Sequence, residues 1–148
     1  MITQPSPAWA HLPPPVPEDF RSAWSWTITR PAELTAARNQ LRARSMPEAM
    51  PTGADEDDLD RLLLAFEEIA SNGLRHGGAP VQVTVHSCDV GWLIDVSDSL
   101  PDQPPTPAVN RDPAFGGLGL HLIARLSTAF GWAAVGARKH VWAALLPA

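Results

Sequence analysis

With 148 residues, a net charge of −5, 45% hydrophobic and 18% charged residues, the chain suits one domain with a buried core and is a poor candidate for wholesale disorder. No basic run stands ready to neutralise phosphates, which argues against nucleic-acid binding as its main business. A single cysteine, Cys88, excludes an intrachain disulfide and a multi-cysteine zinc site, while the lack of a leader-like start or a long apolar run predicts a cytoplasmic protein with no membrane partner.

Residues 1–22 carry Pro5, Pro7, Pro13, Pro14, Pro15 and Pro17 and read as a flexible or extended tail. Residues 23–148 form the expected domain. It opens with a strand of alternating character at 23–29, followed by Pro31 in the place of a first helical residue. Leu34, Ala37 and Leu41 then recur at helical spacing until Pro47. Arg38, Arg42 and Arg44 lie on the other side of this helix.

A second helix is predicted from Glu56 to His76. The acidic run at 55–58 suits the positive end of its dipole, and Gly77-Gly78 supply a stop. Leu59, Leu62, Leu63, Phe66, Ile69, Ala70 and Gly73 make one stripe. Strands follow at 81–86 and 91–97, with a turn at Cys88-Asp89 between them. Residues 99–115 hold five prolines and cannot be regular structure, so they read as a lid-like loop. A third helix is expected over about 118–129, then strands at 132–137 and 141–146. Helices collected against one face of a mostly antiparallel sheet make an α/β two-layer sandwich.

Three features carry candidate chemistry. Glu68 lies roughly 180° from Leu59 at ~100° per residue, and Asn72 is its neighbour one turn on. A carboxylate there can take a proton from an attacking hydroxyl, and a carboxamide oxygen can ligate Mg²⁺. On its own such a face is also simply the solvated side of a helix. Gly116, Gly117 and Gly119 open the third helix, where backbone amides can hold an anion, although glycines also occur at such junctions for backbone reasons. The pattern matches neither a P-loop nor a Rossmann fingerprint. Asp98, just before the lid, can accept a hydrogen bond from an exocyclic amine or be a strand-ending turn residue.

The order is more specific than the parts. Glu68-x-x-x-Asn72-x-x-x-His76, a hairpin ending in Asp98, a loop, then Gly116-Gly117-Leu118-Gly119-Leu120 resembles the N, G1 and G2 boxes of the GHKL superfamily, which has the Bergerat ATP-binding fold. The resemblance covers about residues 24–146. Within the superfamily the chain is similar to RsbW-type anti-sigma serine/threonine kinases, including short actinobacterial ATP-binding regulators. Ala36-Ala37-Arg38, Asn72 to Gly77, Val96 to Pro101 and Lys139 to Ala143 carry that likeness.

The resemblance implies ATP and Mg²⁺ as cofactors, with Glu68 as general base and Asn72 as the Mg²⁺ ligand. It makes Asp98 the adenine anchor, places Gly117, Leu118, Gly119 and Leu120 in the phosphate-binding segment, and puts Arg38 on a partner-facing helix. The implied partners are a STAS-domain antagonist (an anti-anti-sigma factor), a sigma factor and a second copy of the chain. A binding switch without phosphotransfer is the alternative. The chain departs from the pattern where Asp98-Ser99-Leu100 lacks the usual glycine and where His140 replaces a threonine. Its lid is also short and proline-rich.

Overall fold

The computed structural model describes residues 11–15, 22–45, 50–102, 105 and 118–147. The elements in chain order are β1 (Ser22–Ile28), α1 (Pro31–Ser45), α2 (Glu56–His76), β2 (Val81–Ser87), β3 (Trp92–Asp98), α3 (Leu118–Leu126), β4 (Ala129–Val135) and β5 (Arg138–Leu145). The strands form one sheet in the order β1-β2-β3-β5-β4, and every neighbouring pair is antiparallel. The helices pack on one side of it, with α2 touching both α1 and α3. This is the expected two-layer sandwich.

The helix α2 begins and ends where its sequence says it should. Asp55 accepts from the Asp58 amide and Asp58 accepts from the Asp55 amide, both at 3.0 Å, which satisfies two otherwise orphaned donors. Glu56, Asp57 and Asp58 add negative charge where the helix dipole is positive. At the other end the Gly77 amide donates to the Gly73 carbonyl at 2.8 Å, and Gly78 turns the chain away with φ +74°.

The stripe read from the sequence is the buried one: Leu59, Leu62, Leu63, Phe66, Ile69, Ala70 and Gly73 all lie inside. They meet the inward residues of the sheet, among them Val81, Val83, Val85, Ile94, Val96, Val141 and Ala143. Each fully buried large side chain contributes ~1.5–3 kcal/mol. Trp26 stands edge-on to Phe66 at 5.5 Å, and its indole N–H donates to Gln40 Oε1 at 2.9 Å. At Gly73 an added Cβ would lie 3.2 Å from Val81 and Val96, so a small residue lets α2 sit low on the sheet.

The later elements differ from the sequence-based expectation. The helix α3 ends at Leu126, three residues before the expected boundary. The Thr128 amide is already paired with the Ala144 carbonyl at 2.8 Å and Ala129 lies opposite Ala144, so strand pairing overrides the helical tendency of these residues. The strand β4 accordingly runs 129–135, with its turn at Gly136-Ala137, where Gly136 has φ +61°. The strand β5 then starts at Arg138, three residues ahead of the predicted 141, and β3 includes Asp98 itself.

Part of the proline-rich N-terminal region lies within the described residues. His11 forms a parallel bridge to Trp132 on the edge strand β4, with the two rings 4.7 Å apart. The Trp142 indole N–H, on the sheet face away from the helices, donates to the Leu12 carbonyl at 2.8 Å.

Candidate functional site

Alternation along the strands decides which side chains meet. Val96 lies opposite Val141, and both enter the core under the helices. Two residues on, Asp98 lies opposite Lys139, so this pair points to the same helix-bearing side. Both are buried, at 2% and 4% exposure, and Lys139 Nζ is 3.4 Å from Asp98 Oδ2. The other carboxylate oxygen accepts from the Leu100 amide at 2.9 Å. Burial pushes the Asp98 carboxyl above the ordinary carboxylate range, while the Leu100 amide and the charges of Lys139 and Arg138 pull it down.

The end of α2 closes over this carboxylate. A Cβ on Gly77 would stand 2.3 Å from Asp98 Oδ2, an approach only glycine permits. The Ser99 amide donates to the Gly77 carbonyl at 3.2 Å, and Ser99 Oγ donates to the Gly78 carbonyl at 3.4 Å. From the opposite sheet face Arg138 donates to Ser97 Oγ at 3.0 Å, to the Ser97 carbonyl at 2.8 Å and to the Pro80 carbonyl at 3.1 Å. Three segments are thus locked around Asp98: the end of α2, the end of β3 and the start of β5.

Glu68 and Asn72 sit on α2, half-buried, whereas Arg75 and His76 on the same helix are exposed. Among the described residues neither Glu68 nor Asn72 has a hydrogen-bond or ion-pair partner, so both polar ends are available. At 1.5 Å rise per residue, Asn72 lies ~7.5 Å and Glu68 ~13.5 Å along the axis from Gly77. The order along α2 is therefore a buried acceptor at one end, then a carboxamide, then a carboxylate.

The other candidates are placed differently. Leu118, Gly119 and Leu120 form the first turn of α3, which packs against α2. Gly116 and Gly117, with most of the lid, lie outside the described residues. Arg38 is half-buried on α1, which packs on β1 and α2 and is not gathered with Asp98.

His140 does not enter this site. It lies opposite Ser97 on the outer face of the sheet, where its Nδ1 is 3.0 Å from Asp95 Oδ1 and 3.1 Å from Oδ2. That hydrogen bond raises its pKa above the usual imidazole value, against the effect of burial. The residue beside Asp98 is Lys139, which the sequence reading gave no role. The parity of Val141, Ala143 and Leu145 was the signal that could have found it.

A family profile for the histidine kinase-like ATPase domain matches residues 29–145. The chain belongs to this family. No curated protein matches the sequence. As a histidine kinase-like ATPase domain it is an ATP-binding unit, and its residues fit that ligand. Asp98 is a buried acceptor suited to an exocyclic amine, and the Gly77 contact shapes the wall beside it. Among the described residues no helix of the domain is long and apolar enough to cross a membrane.

Proposed function

We propose that this histidine kinase-like ATPase domain is a protein-serine/threonine kinase of the RsbW type. It transfers the γ-phosphate of ATP to a serine or threonine of a STAS-domain antagonist, sequesters a sigma factor, or does both. Arg38 belongs to the surface that meets these partners, and a second copy of the chain is a further partner.

One observation carries the reading: a half-buried Glu68–Asn72 pair, with no hydrogen-bond or ion-pair partner among the described residues, lies on the same helix whose far end closes over Asp98. A base anchored at Asp98 and a triphosphate running back along α2 would meet Asn72 first and Glu68 second. Glu68 takes the proton of the substrate hydroxyl as its oxygen forms a bond to the γ-phosphorus. The bond from that phosphorus to the β–γ bridging oxygen breaks, and ADP leaves with the electron pair. The Asn72 carboxamide would hold Mg²⁺, which when bound supplies positive charge against the phosphates. The backbone of Gly117, Leu118, Gly119 and Leu120 is assigned to the phosphates at the start of α3.

A second reading is a nucleotide-dependent binding switch without transfer. The engagement of Asp98 by Lys139 and Leu100 favours it, because an incoming base must share that acceptor. Incubation with γ-labelled ATP and candidate STAS-domain proteins separates the two. Label on a serine or threonine supports the kinase, and its absence, with intact ATP binding, supports the switch.

A further inference from the structure

The β4 edge of the sheet has the form of a peptide-binding site. An edge strand presents unpaired N–H and C=O groups along one side. On β4 one such position is taken by His11, whose bridge to Trp132 is parallel and a single residue long. The ladder cannot go on, because Pro13, Pro14 and Pro15 have no N–H to give. Beyond the bridge Ala134 and Val135 of β4 are exposed.

Proline also fixes the shape of what docks. Leu12, Pro13 and Pro14 each precede a proline, which pushes their backbones toward the extended polyproline II form. That form makes no hydrogen bonds of its own, so its carbonyls stay open to a donor. Two tryptophans meet this segment from opposite faces of the sheet. Trp132 lies opposite Val141, on the side of the helices, and its ring is 4.7 Å from that of His11. Trp142 projects from the other face, and its indole N–H donates to the Leu12 carbonyl at 2.8 Å. The residue of β4 opposite Trp142 is Gly131, which has no side chain to stand between the indole and the edge. Trp142 is 4% exposed and Leu12 50% exposed, so the clasp grips the backbone and leaves half of the leucine in solvent.

A flat aromatic ring and an indole donor aimed at a backbone carbonyl suit a proline-rich segment. We propose that the β4 edge between Trp132 and Trp142 is a binding site for proline-rich segments, held shut in cis by residues 11–15. The ligand it takes is an apolar residue followed by prolines in extended form. So few contacts, with no ladder, can exchange. A segment tethered to the same chain keeps the site through its high local concentration. A proline-rich segment of a partner gains the site only by displacing residues 11–15. The proposal does not depend on what the Asp98 end of the domain binds.

Hydrogen exchange at the Trp142 indole, followed by magnetic resonance in the full chain with isotope-labelled tryptophan, tests this. The signal is assigned by its loss in Trp142→Phe. In the wild-type chain the indole N–H should exchange about tenfold or more slowly than a free indole. Replacing Pro13, Pro14 and Pro15 together by glycine keeps every backbone carbonyl. It should nevertheless release the segment, shift the signal and bring exchange close to the free rate. A capped peptide with the sequence of residues 11–15 should return that signal to its wild-type position, saturably, at about millimolar concentration. The same peptide with glycines for prolines should not. The wild-type chain should need more peptide than the glycine variant for the peptide to compete. A signal left unmoved by the glycine substitutions, or a peptide that fails to bind the opened variant, overturns the proposal. Rapid exchange in the wild-type chain overturns it with no proline replaced. A wild-type signal that varies with protein concentration would assign the docked segment to a second copy and overturn occupancy in cis.

Discussion

Gly77 and Asp98 are in backbone-to-carboxylate contact: the position of a Cβ on residue 77 is 2.3 Å from Asp98 Oδ2. The φ of Gly77 is −98°, so any L-residue could adopt its backbone conformation. The requirement for glycine is steric alone. Gly77→Ala must therefore push α2 away from β3 or turn the carboxylate. We expect a loss of ~1–3 kcal/mol in stability, as for overpacking, together with a severe loss of ATP affinity. Thermal melts and ATP titration check both. An alanine variant with wild-type affinity would show that the contact does not shape the site.

Glu68→Ala removes the assigned base and leaves Asp98, Asn72 and the glycine segment in place. Transfer to a STAS-domain substrate should fall by ~10²–10⁴-fold, the usual range for a general base, with ATP binding nearly intact. Single-turnover transfer with labelled ATP measures the first and calorimetry the second. Undiminished transfer would remove Glu68 from the mechanism.

The cap of α2 lies at the opposite end of that helix from Gly77, ~30 Å away by helix rise. Asp55→Ala should destabilise the domain by about 1 kcal/mol through loss of the side-chain acceptor for the Asp58 amide, the bond from the residue-55 amide to Asp58 being kept. It should leave ATP affinity unchanged. Urea unfolding and titration on the same preparation test whether stability and binding separate in this way.

The outer face gives a pH prediction. The folded-state pKa of His140 is raised, chiefly by the hydrogen bond to Asp95. Its stabilising contribution is therefore complete below the unfolded value of about 6.5 and is lost as pH rises through the folded value. Asp95→Asn should lower the melting temperature at pH 5.5 and have much less effect at pH 8.5. His86, whose pKa is lowered by burial, has the opposite dependence and favours the fold above its unfolded value. The Asp95 charge works against that lowering, so its removal deepens the loss on the acid side. A pH-independent effect of Asp95→Asn would argue that the pair is a packing contact only.

Much of the frame was legible because local signals agreed with one another. For α2 the acidic cap, the apolar stripe and the Gly77-Gly78 stop all named the same ends, 56 and 76. The strands β2 and β3 were legible from alternation and the intervening turn. The β4–β5 hairpin was displaced because its boundaries depend on a left-handed Gly136 and on pairing between Ala129 and Ala144, neither of which has a local apolar signature. The separation of Lys139 from His140 was missed for a related reason. One residue of register exchanges the two faces of a strand, and the predicted strand began only at 141, so the alternation through Val141, Ala143 and Leu145 did not extend back to Lys139. Most of the lid and Gly117 lie outside the described residues, and the role of Glu68 is the assignment that the transfer experiment above tests.

The sheet order also bears on how the domain is made. Although β5 is the latest of the eight elements among the described residues, it occupies an interior slot between β3 and β4. A nascent chain that has emerged only as far as Gly136 has the helices, β1, β2, β3 and a β4 without its antiparallel neighbour, but no Lys139 opposite Asp98. The buried Asp98–Lys139 pair is thus completed by the last strand of this sheet to leave the ribosome, so a partly synthesised chain leaves Asp98 without its ion-pair partner. Nucleotide added to stalled chains ending before and after β5 would rescue the longer one alone from proteolysis.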